Sequence, residues 1–301
     1  MTSAGSPGFA ESSGLAESVV QLVSSGDRLV CSLLRPAGEE PCAAIVMCHG
    51  AHGRREQFLA FARMLAESGM VVLLPDMHGH GESGGARYHV CMKEWVPDVR
   101  ASLDWLSAQA FVDPDRLGAF GFSSGGTAVL EAAAVDHRLK ALVTLDATVR
   151  SVVSPAERYF LLFCSWLGSL KQRWFGSNLH LPLYPLARRA QTAVDPSVHA
   201  AVFDDPEMRE AYWRYPLPGA LDSLIVDTLS RVDRITAPVC VIHGADDKID
   251  PPASAHALFQ CLRSEKALHL IPESGHMGHL DPQRELISRL VRDWFVARLP
   301  A

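Results

Sequence analysis

The sequence lacks the charge excess, the long apolar runs and the leader features that mark several classes of protein. Its 301 residues carry 28 basic and 34 acidic side chains, a net charge of −6, so the charge balance does not favour binding to nucleic acid or to an anionic membrane. No apolar stretch approaches the roughly 20 residues that a membrane-spanning helix needs. The N-terminus is rich in Ser, Gly and Ala, without the basic start or apolar core of a signal peptide. We expect a cytoplasmic protein with no membrane span and no nucleic-acid partner.

Cysteine is present, but its spacing indicates neither cross-linking nor metal binding. Seven cysteines are scattered singly and no Cys-x-x-Cys pair occurs, so the sequence predicts neither a disulfide framework nor a zinc knuckle. Cys48 and Cys240 lie within apolar runs and are expected to be small core residues. This usage is consistent with a reducing, intracellular location.

The chain is organised around the segment Gly121-Phe122-Ser123-Ser124-Gly125, which has the form Gly-x-Ser-x-Gly. An apolar run typical of a buried strand precedes it, and the strongly helix-forming segment 127–134 follows it. We therefore expect Ser123 on a sharp turn between a strand and a helix, where residues without side chains are needed on either side. The unpaired N–H groups at the helix start can stabilise a developing negative charge.

Apolar strand-like runs alternate with helix-forming segments along most of the chain. The continuous apolar runs, typical of strands buried on both faces, are 43–48, 70–74, 116–120, 141–145, 239–242 and 267–271. The segments with helical periodicity or composition are 56–68, 93–108, 127–134, 252–262 and 285–298. Two further strands, 19–23 and 29–34, flank a turn and predict an N-terminal hairpin. The alternation predicts an α/β fold with a mostly parallel central sheet and helices on both faces.

The alternation stops near Asp146 and resumes near Ala237, which predicts an insertion. We expect a disordered N-terminus over 1–17, a core formed by 18–147 and 231–301, and a helical cap over 148–230. The cap holds close to half of the aromatic residues, and prolines divide it into short pieces. These aromatics either line a substrate pocket or form the core of the cap. The aromatic residues that we predict to bind substrate are Trp166, Trp174, Tyr184 and Trp213.

Two strand ends after the cap carry groups that could activate Ser123. A serine hydroxyl needs a base within hydrogen-bond reach and a third group that orients the base. In parallel sheets such groups lie at the carboxyl ends of the strands. One strand end carries His243 with Asp246, Asp247 and Asp250, and the next carries His276 and His279. The order serine, acid, histidine along the chain is the order found in α/β-hydrolases.

From about residue 19 to its end, the sequence resembles the α/β-hydrolase fold superfamily. Within it, the sequence is most similar to the serine hydrolases that include monoacylglycerol lipases, feruloyl-type esterases and serine aminopeptidases. The motifs that carry the resemblance are, in order, His49-Gly50, Asp76-x-His78-Gly79-His80-Gly81-x-Ser83, Gly121-x-Ser123-x-Gly125, His243-Gly244-x-x-Asp247 and Ser274-Gly275-His276. They are specific for the superfamily and say little about the substrate.

The resemblance implies a role for each residue of a catalytic set. Ser123 would be the nucleophile, His276 the general base and then the general acid, and Asp247 the acid that orients His276. The backbone N–H groups of Ala51 and Ser124 would form the oxyanion hole. The alternatives that the residues leave open are Ser124 as nucleophile, His279 as base, and Asp146, Asp246 or Asp250 as acid.

The 13 histidines also invite a metal-binding hypothesis, which the spacing does not favour. His49 with His52, and His78 with His80, are pairs at plausible spacing, but neither pair has the pattern of a zinc protease. The resemblance implies that His78-Gly79-His80-Gly81 is a structural part of its loop. We therefore expect no metal and no cofactor. The expected partner is a small acyl substrate, and a homodimer is left open.

The favoured function is that of a serine hydrolase. Such an enzyme would cleave a carboxylic ester or thioester through an acyl-enzyme on Ser123, and the aromatic cap favours an apolar or aromatic acyl group. Amides and peptides are compatible with the same residues. The alternatives are an acyltransferase, a hydrolase of carbon–carbon bonds, and a non-catalytic binding protein on this fold.

Overall fold

The computed structural model describes residues 14–38, 40–151 and 153–300. The predicted disordered segment 1–17 lies mostly outside these ranges, and its last part needs correction because Leu15 to Glu17 already belong to the first strand. All seven cysteines lie within the described ranges and are free thiols. No helix in these ranges combines the length and the apolar character needed to cross a membrane.

Within the described residues, eight strands form the central sheet, in the order β1-β2-β4-β3-β5-β6-β9-β10. The strands are β1 (Leu15–Ser24), β2 (Asp27–Pro36), β3 (Cys42–Cys48), β4 (Val71–Pro75), β5 (Val112–Phe122), β6 (Leu139–Leu145), β9 (Val239–Gly244) and β10 (Lys266–Ile271), with β7 (Leu179–Leu181) and β8 (Tyr215–Leu217) in the insertion. The β1–β2 and β2–β4 pairs are antiparallel, and the pairs from β4 to β10 are parallel. The predicted α/β fold with a mostly parallel sheet is confirmed.

Helices cover both faces of this sheet. The helices of the core are α1 (Leu59–Glu67), α2 (Met92–Ser107), α3 (Ser124–Ala133), α8 (Ala253–Cys261) and α9 (Arg284–Arg298). Residues of α1 and α9 share one buried cluster, and residues of α2, α3 and α8 share the other. Along β3, Ala44, Val46 and Cys48 face the second cluster, while Ile45 and Met47 face the first. The alternation follows from the two-residue period of a strand, and it explains why the run is apolar throughout.

The insertion lies between β6 and β9. Its helices are α4 (Pro155–Phe175), α5 (Tyr184–Ala187), α6 (Pro196–Asp204) and α7 (Pro206–Trp213), and β7 pairs antiparallel with β8. The close approach of α4 to β8 depends on Gly168, because a Cβ there would lie 2.8 Å from the carbonyl carbon of Leu217.

The prolines of the insertion start its helices as well as separating them. Ser154 caps α4 by accepting a hydrogen bond from the N–H of Glu157, and the Glu157 carboxylate accepts one from the N–H of Ser154. Asp195 caps α6 by accepting the N–H of Ser197, Asp205 caps α7 by accepting the N–H groups of Glu207 and Met208, and each cap is followed by proline. Proline suits the first helical position because its missing N–H would have no partner there. The short helices of this region are thus fixed by local sequence.

Candidate active site

Ser123 lies on the turn between β5 and α3. Its backbone has φ 51° and ψ −121°, a conformation that residues with side chains adopt rarely and only when the surroundings impose it. Its N–H donates a hydrogen bond to the carbonyl oxygen of Leu145 (3.0 Å), and its carbonyl accepts one from the N–H of Thr127 (3.2 Å). The main chain on both sides thus holds the strained residue, and the side chain is directed out of the sheet edge.

The two glycines of the motif are required by close approaches of backbone. A Cβ at Gly121 would lie 2.6 Å from the Cα atom of Gly126, and a Cβ at Gly125 would lie 2.6 Å from the carbonyl oxygen of Cys48. These neighbours belong to the main chain of β3 and of the turn itself, so they have no side-chain freedom with which to move aside. The Gly-x-Ser-x-Gly pattern is therefore a steric requirement of this turn.

Three side chains from three strand ends meet at this point. The Nε2 atom of His276 is 3.0 Å from the Ser123 Oγ atom, and its Nδ1 atom is 2.8 Å from the Asp247 Oδ2 atom. All three residues are buried. With Nδ1 protonated and bonded to the carboxylate, Nε2 has a lone pair directed at the serine hydroxyl. The arrangement can transfer the Ser123 proton to His276.

Asp247 is held as a carboxylate by hydrogen-bond donors on both oxygens. Its Oδ1 atom accepts the N–H groups of Ile249 (2.8 Å) and Asp250 (2.9 Å), and its Oδ2 atom accepts from His276. Burial by itself would raise the pKa of Asp247, but His276, His243 and the backbone donors outweigh it and lower the pKa. The negative charge therefore persists next to the imidazole that it orients.

The other acids differ from Asp247 in exposure or in hydrogen-bond partners. Asp246 is exposed. Asp146 is fully buried, accepts the N–H of Gly244 (2.8 Å) and faces Asp247; burial first, and then the charge of Asp247, raise its pKa well above the usual range. The Asp250 carboxylate accepts a hydrogen bond from the Thr148 hydroxyl (2.7 Å). Asp247 is thus the acid that the structure places against the His276 Nδ1 atom.

His279, the alternative base, and Ser124, the alternative nucleophile, take no part in the hydrogen bonds that join Ser123, His276 and Asp247. His279 is buried with its ring stacked on Phe58 at 4.4 Å between centroids, and burial lowers its pKa to about 3. Its ring nitrogens have no hydrogen-bond partner among the described residues. Ser124 is the first residue of α3 and is almost fully buried.

Ala51 and Ser124, whose backbone N–H groups are the predicted oxyanion hole, line the same cavity as Ser123. Ser124 begins α3, so its N–H has no partner within the helix. The Gly50 carbonyl accepts a hydrogen bond from the His49 Nδ1 atom (2.8 Å), while the Nε2 atom of His49 accepts the N–H of Met77 (3.0 Å). In a trans peptide the C=O and N–H groups point in opposite directions, so His49 aims the N–H of Ala51 away from itself. The sequence motif alone did not reveal this role of His49.

A cavity of about 550 Å³ opens at Ser123. Ser123, His276, Ala51 and Ser124 are among the residues that line it. The apolar lining residues include Leu183, Leu186, Val202, Phe203, Met208, Tyr212, Leu224, Ile249 and Met277, and the charged ones are Glu157, Arg189 and Asp250. Volume and lining suit an apolar small molecule held by a few polar groups.

A larger groove of about 640 Å³ lies elsewhere, between α2, α3 and the insertion. It is lined by charged side chains of both signs, and neither Ser123 nor His276 borders it.

The four aromatics that were predicted to bind substrate do not line the cavity, which corrects that prediction. Trp166 and Trp174 are 57% and 75% exposed on α4. Tyr184 is buried within the insertion, where its hydroxyl donates to the carbonyl of Phe203, and Trp213 stacks on Tyr184. Composition placed aromatic residues in the cap but gave no information on which face each would occupy. The aromatics on the cavity wall are instead Phe203, Tyr212 and Tyr215 of the insertion and Phe122 of β5.

Two groups of described side chains have a spacing that a metal ion could use, and each has protein partners. Glu56, Asp76 and Glu82 surround the guanidinium of Arg55, which forms ion pairs with all three. The other group is Asp146, His243 and Asp247, at the acid end of the site. His78, of the histidine pair considered for metal binding in the sequence, instead forms a hydrogen bond with Asp98 through its Nδ1 atom (2.8 Å). This hydrogen bond is the main cause that raises the pKa of His78 to about 9. We base no function on a metal.

A strained serine between a strand and a helix, with its base and its acid at later strand ends, defines a serine hydrolase of the α/β-hydrolase fold. Comparison with known proteins gives the family. A family profile described as serine aminopeptidase, S33, matches residues 39–283. The chain belongs to this family.

Several known proteins resemble the chain over most of its length. A monoacylglycerol lipase of Mycolicibacterium smegmatis is 28% identical over 278 residues, which are 91% of this chain and 95% of that protein. A thermostable monoacylglycerol lipase of Bacillus sp. is 24% identical over 269 residues, 86% of this chain and 95% of that protein. The crystal structure of a hypothetical protein from Pseudomonas aeruginosa superposes with a TM-score of 0.81 at 22% identity, covering 97% of this chain and 96% of that one. This last likeness concerns the fold alone.

Proposed function

We propose that the protein hydrolyses carboxylic esters or thioesters of apolar acyl groups through an acyl-enzyme on Ser123. The observation that carries the proposal is the continuous chain of contacts from Ser123 through His276 to Asp247, at 3.0 and 2.8 Å, at the end of an apolar cavity. Each group needed for acyl transfer to a serine is present, in contact and buried from bulk water.

In the first half of the proposed reaction, the Ser123 oxygen attacks the acyl carbonyl carbon while its proton passes to the His276 Nε2 atom. The Asp247 carboxylate stabilises the resulting imidazolium and holds its Nδ1–H in place. The carbonyl oxygen becomes an anion between the N–H groups of Ala51 and Ser124. Each such donor contributes about a hundredfold to a thousandfold in rate, because the charge appears only in the transition state. His276 then gives the proton to the leaving alcohol or thiol.

In the second half, water replaces the leaving group. His276 takes a proton from that water as it attacks the acyl carbon, and then returns the proton to Ser123 as the acid departs. Ser123 and His276 are thereby regenerated. The net reaction is hydrolysis of the ester or thioester to a carboxylic acid and an alcohol or thiol. The same acyl-enzyme would serve an alcohol or amine acceptor.

The apolar lining of the cavity supports an apolar acyl group. The insertion supplies leucine, valine, methionine and aromatic side chains to the cavity wall, together with the charged side chains of Glu157 and Arg189. Burial of apolar surface contributes roughly 25 cal/mol per Å², or about 0.8 kcal/mol for each methylene. The matching relatives named as monoacylglycerol lipases are in keeping with such a substrate.

A panel of p-nitrophenyl esters with straight acyl chains of increasing length tests the proposal. We expect kcat/KM to rise severalfold for each methylene added beyond acetate, until the cavity of about 550 Å³ is filled. A succinyl ester, with a terminal carboxylate, serves as the matched charged substrate and should react much more slowly than the butyryl ester. Equal rates for these two esters would contradict the apolar acyl site. The absence of hydrolysis across the panel would contradict the proposed function.

The pH dependence of the reaction is expected to depend on Asp250. Burial alone would lower the pKa of His276, but Asp247, Asp250 and Asp146 face the ring and raise it. Burial raises the pKa of Asp250 to about 6, so its carboxyl is charged above that pH. His276 accepts a proton only when neutral, so kcat/KM should rise with pH to a plateau, with a midpoint above the usual histidine pKa of about 6.5. In Asp250→Asn the lost negative charge should move the midpoint to lower pH.

The matched control for this pH profile is Asp246→Asn, since Asp246 is exposed and lies outside the cavity wall. Its midpoint should stay at the wild-type pH, because solvent screens an exposed charge. An unchanged midpoint in Asp250→Asn, measured on a single aryl ester over pH 5 to roughly 10, would show that Asp250 has no influence on His276.

A further inference from the structure

The outward face of α4 is apolar and has no partner among the described residues. Tyr159, Phe163, Trp166, Leu170 and Trp174 follow one another at spacings of four, three, four and four residues, so they form one stripe along the helix. Their side chains are between 37% and 75% exposed. The exposed apolar residues beside this stripe are Phe160, Leu162 and Leu167.

The helix packs against the rest of the insertion through the opposite side. Its buried residues are Leu161, Cys164, Ser165 and Gly168, which form a narrow stripe at helical spacing. From Ser169 to Phe175 every residue is exposed. The outward apolar face is therefore additional to the face that holds the helix in the fold, and folding of this chain does not account for it.

The size of the face exceeds what soluble monomers usually expose. Five of its side chains are aromatic and each is 56–75% exposed. At about 150–250 Å² for each aromatic side chain, they present on the order of 500–800 Å² of apolar surface. The largest apolar patch of a typical monomer is about 300–600 Å², and such patches mark binding surfaces.

The charged residues around this face indicate the kind of surface that it binds. Arg158, Lys171 and Arg173 are exposed, and Glu157 is the only acid of the helix, with its carboxylate bonded to the Ser154 N–H. At 100° per residue, Arg158 and Arg173 lie on one side of the apolar stripe and Lys171 lies on the other. Aromatic and leucine side chains bordered by cations are typical of a helix that lies in the surface of an anionic membrane.

A second copy of the chain fits the face less well. Two copies of α4 packed antiparallel around Trp166 would place the same flank of each helix together. Arg158 of one copy would then lie near Arg173 of the other, twice over, and repel it. Phosphate and carboxylate groups of lipids would instead attract all three cations. The charge pattern therefore favours a lipid surface over a homodimer through this helix.

The helix that carries the face also borders the cavity. Glu157, in the first turn of α4, lines that cavity, and the stripe starts two residues later, at Tyr159. A membrane in contact with the stripe would therefore lie against a helix that forms part of the cavity wall.

We propose that the outward face of α4 docks the protein on anionic lipid surfaces. Docking requires only the exposed face and its cations. Delivery of an apolar ester from the membrane to Ser123 rests in addition on the proposed function.

Sedimentation of the intact protein with vesicles tests the docking. We expect binding to vesicles of phosphatidylcholine mixed with phosphatidylglycerol, and much weaker binding to vesicles of phosphatidylcholine alone. Each cation near an anionic surface contributes about fivefold to binding, so Lys171→Glu/Arg173→Glu should reduce it more than tenfold. Trp166→Ala/Trp174→Ala should also reduce it strongly, since both indoles would leave the lipid interface.

Matched variants elsewhere on the surface serve as controls. Lys140→Glu/Arg263→Glu makes the same charge change at two exposed cations outside the insertion, and Val23→Ala removes an exposed apolar side chain of β1. Both controls should bind vesicles as the wild type does. Hydrolysis of a short, water-soluble aryl ester by the α4 variants shows that they are folded.

Three results would overturn the docking proposal. They are no binding of the wild type to the mixed vesicles, equal loss of binding in the control variants, and a dimer in light scattering that Trp166→Ala dissociates while vesicles leave the protein in solution. The proposed function fails separately, if the wild type binds vesicles but hydrolyses no ester.

Discussion

Ser123→Ala is expected to abolish both ester hydrolysis and covalent labelling by a fluorophosphonate. The methyl group provides no oxygen to attack the acyl carbon, and removal of a catalytic serine lowers kcat by about 10³–10⁶-fold in enzymes with this arrangement. The fold should be preserved, because the strained turn is held by main-chain hydrogen bonds to Leu145 and Thr127 and the side chain is only exchanged for a smaller one. The measurements are kcat on an aryl ester, the extent of labelling and the melting temperature.

Ser124→Ala is the matched control for this prediction. It removes the hydroxyl of the adjacent serine but keeps the N–H at the start of α3, so labelling of Ser123 should continue. Labelling that persists in Ser123→Ala and disappears in Ser124→Ala would assign the nucleophile to Ser124. A loss of labelling accompanied by unfolding would be visible in the melting temperature.

Asp247→Asn is expected to lower kcat by about 10³–10⁴-fold with little change in KM. The amide removes the negative charge that stabilises the His276 imidazolium. Its Oδ1 position already accepts two N–H groups, from Ile249 and Asp250, so the amide oxygen should occupy that position and the NH₂ group should face His276. A donor at that place favours the tautomer with the proton on Nε2, which is unable to accept the proton of Ser123.

Two other carboxyls provide the controls for Asp247. Asp246→Asn makes the same chemical change one residue earlier, at an exposed position, and should leave kcat within about twofold. Asp146→Asn replaces a buried carboxyl that accepts the N–H of Gly244 and makes no hydrogen bond to His276, so it should lower kcat much less than Asp247→Asn does. If Asp146→Asn lowered kcat as much as Asp247→Asn, the acid of the site would be Asp146.

Much of the fold was predictable because its strands carry a local signature. Inner parallel strands such as β3 and β4 are covered by helices on both faces, so they are continuously apolar, and a run such as 43–48 is visible without any other part of the chain. The turn at Ser123 was also predictable from the sequence. A Cβ atom at Gly121 or Gly125 would collide with main-chain atoms of the turn or of β3, so the turn requires glycine at both positions. The start of β1 at Leu15 was missed because its polar neighbours resemble the unstructured terminus.

The faces of the insertion were not predictable from sequence. Its aromatics are divided among the cavity wall, the interior of the cap and the solvent-facing side of α4, and the three groups have the same composition. Helix α4 has 21 residues with apolar side chains on most sides, so its sequence does not indicate which side is buried. Gly168 decides that direction, because it allows β8 to approach, and its role depends on a strand 49 residues later in the chain.

The sequence by itself determined the turn that carries Ser123, because this turn is specified by glycines at fixed positions and by the strand and helix on either side. The tertiary structure decided which acid lies against His276. Asp146, Asp246, Asp247 and Asp250 are the same chemical group at neighbouring strand ends, and they differ only in burial, in backbone donors and in distance from His276. Those differences arise when β6, β9 and the loop after β10 are brought together, so no local pattern contains them.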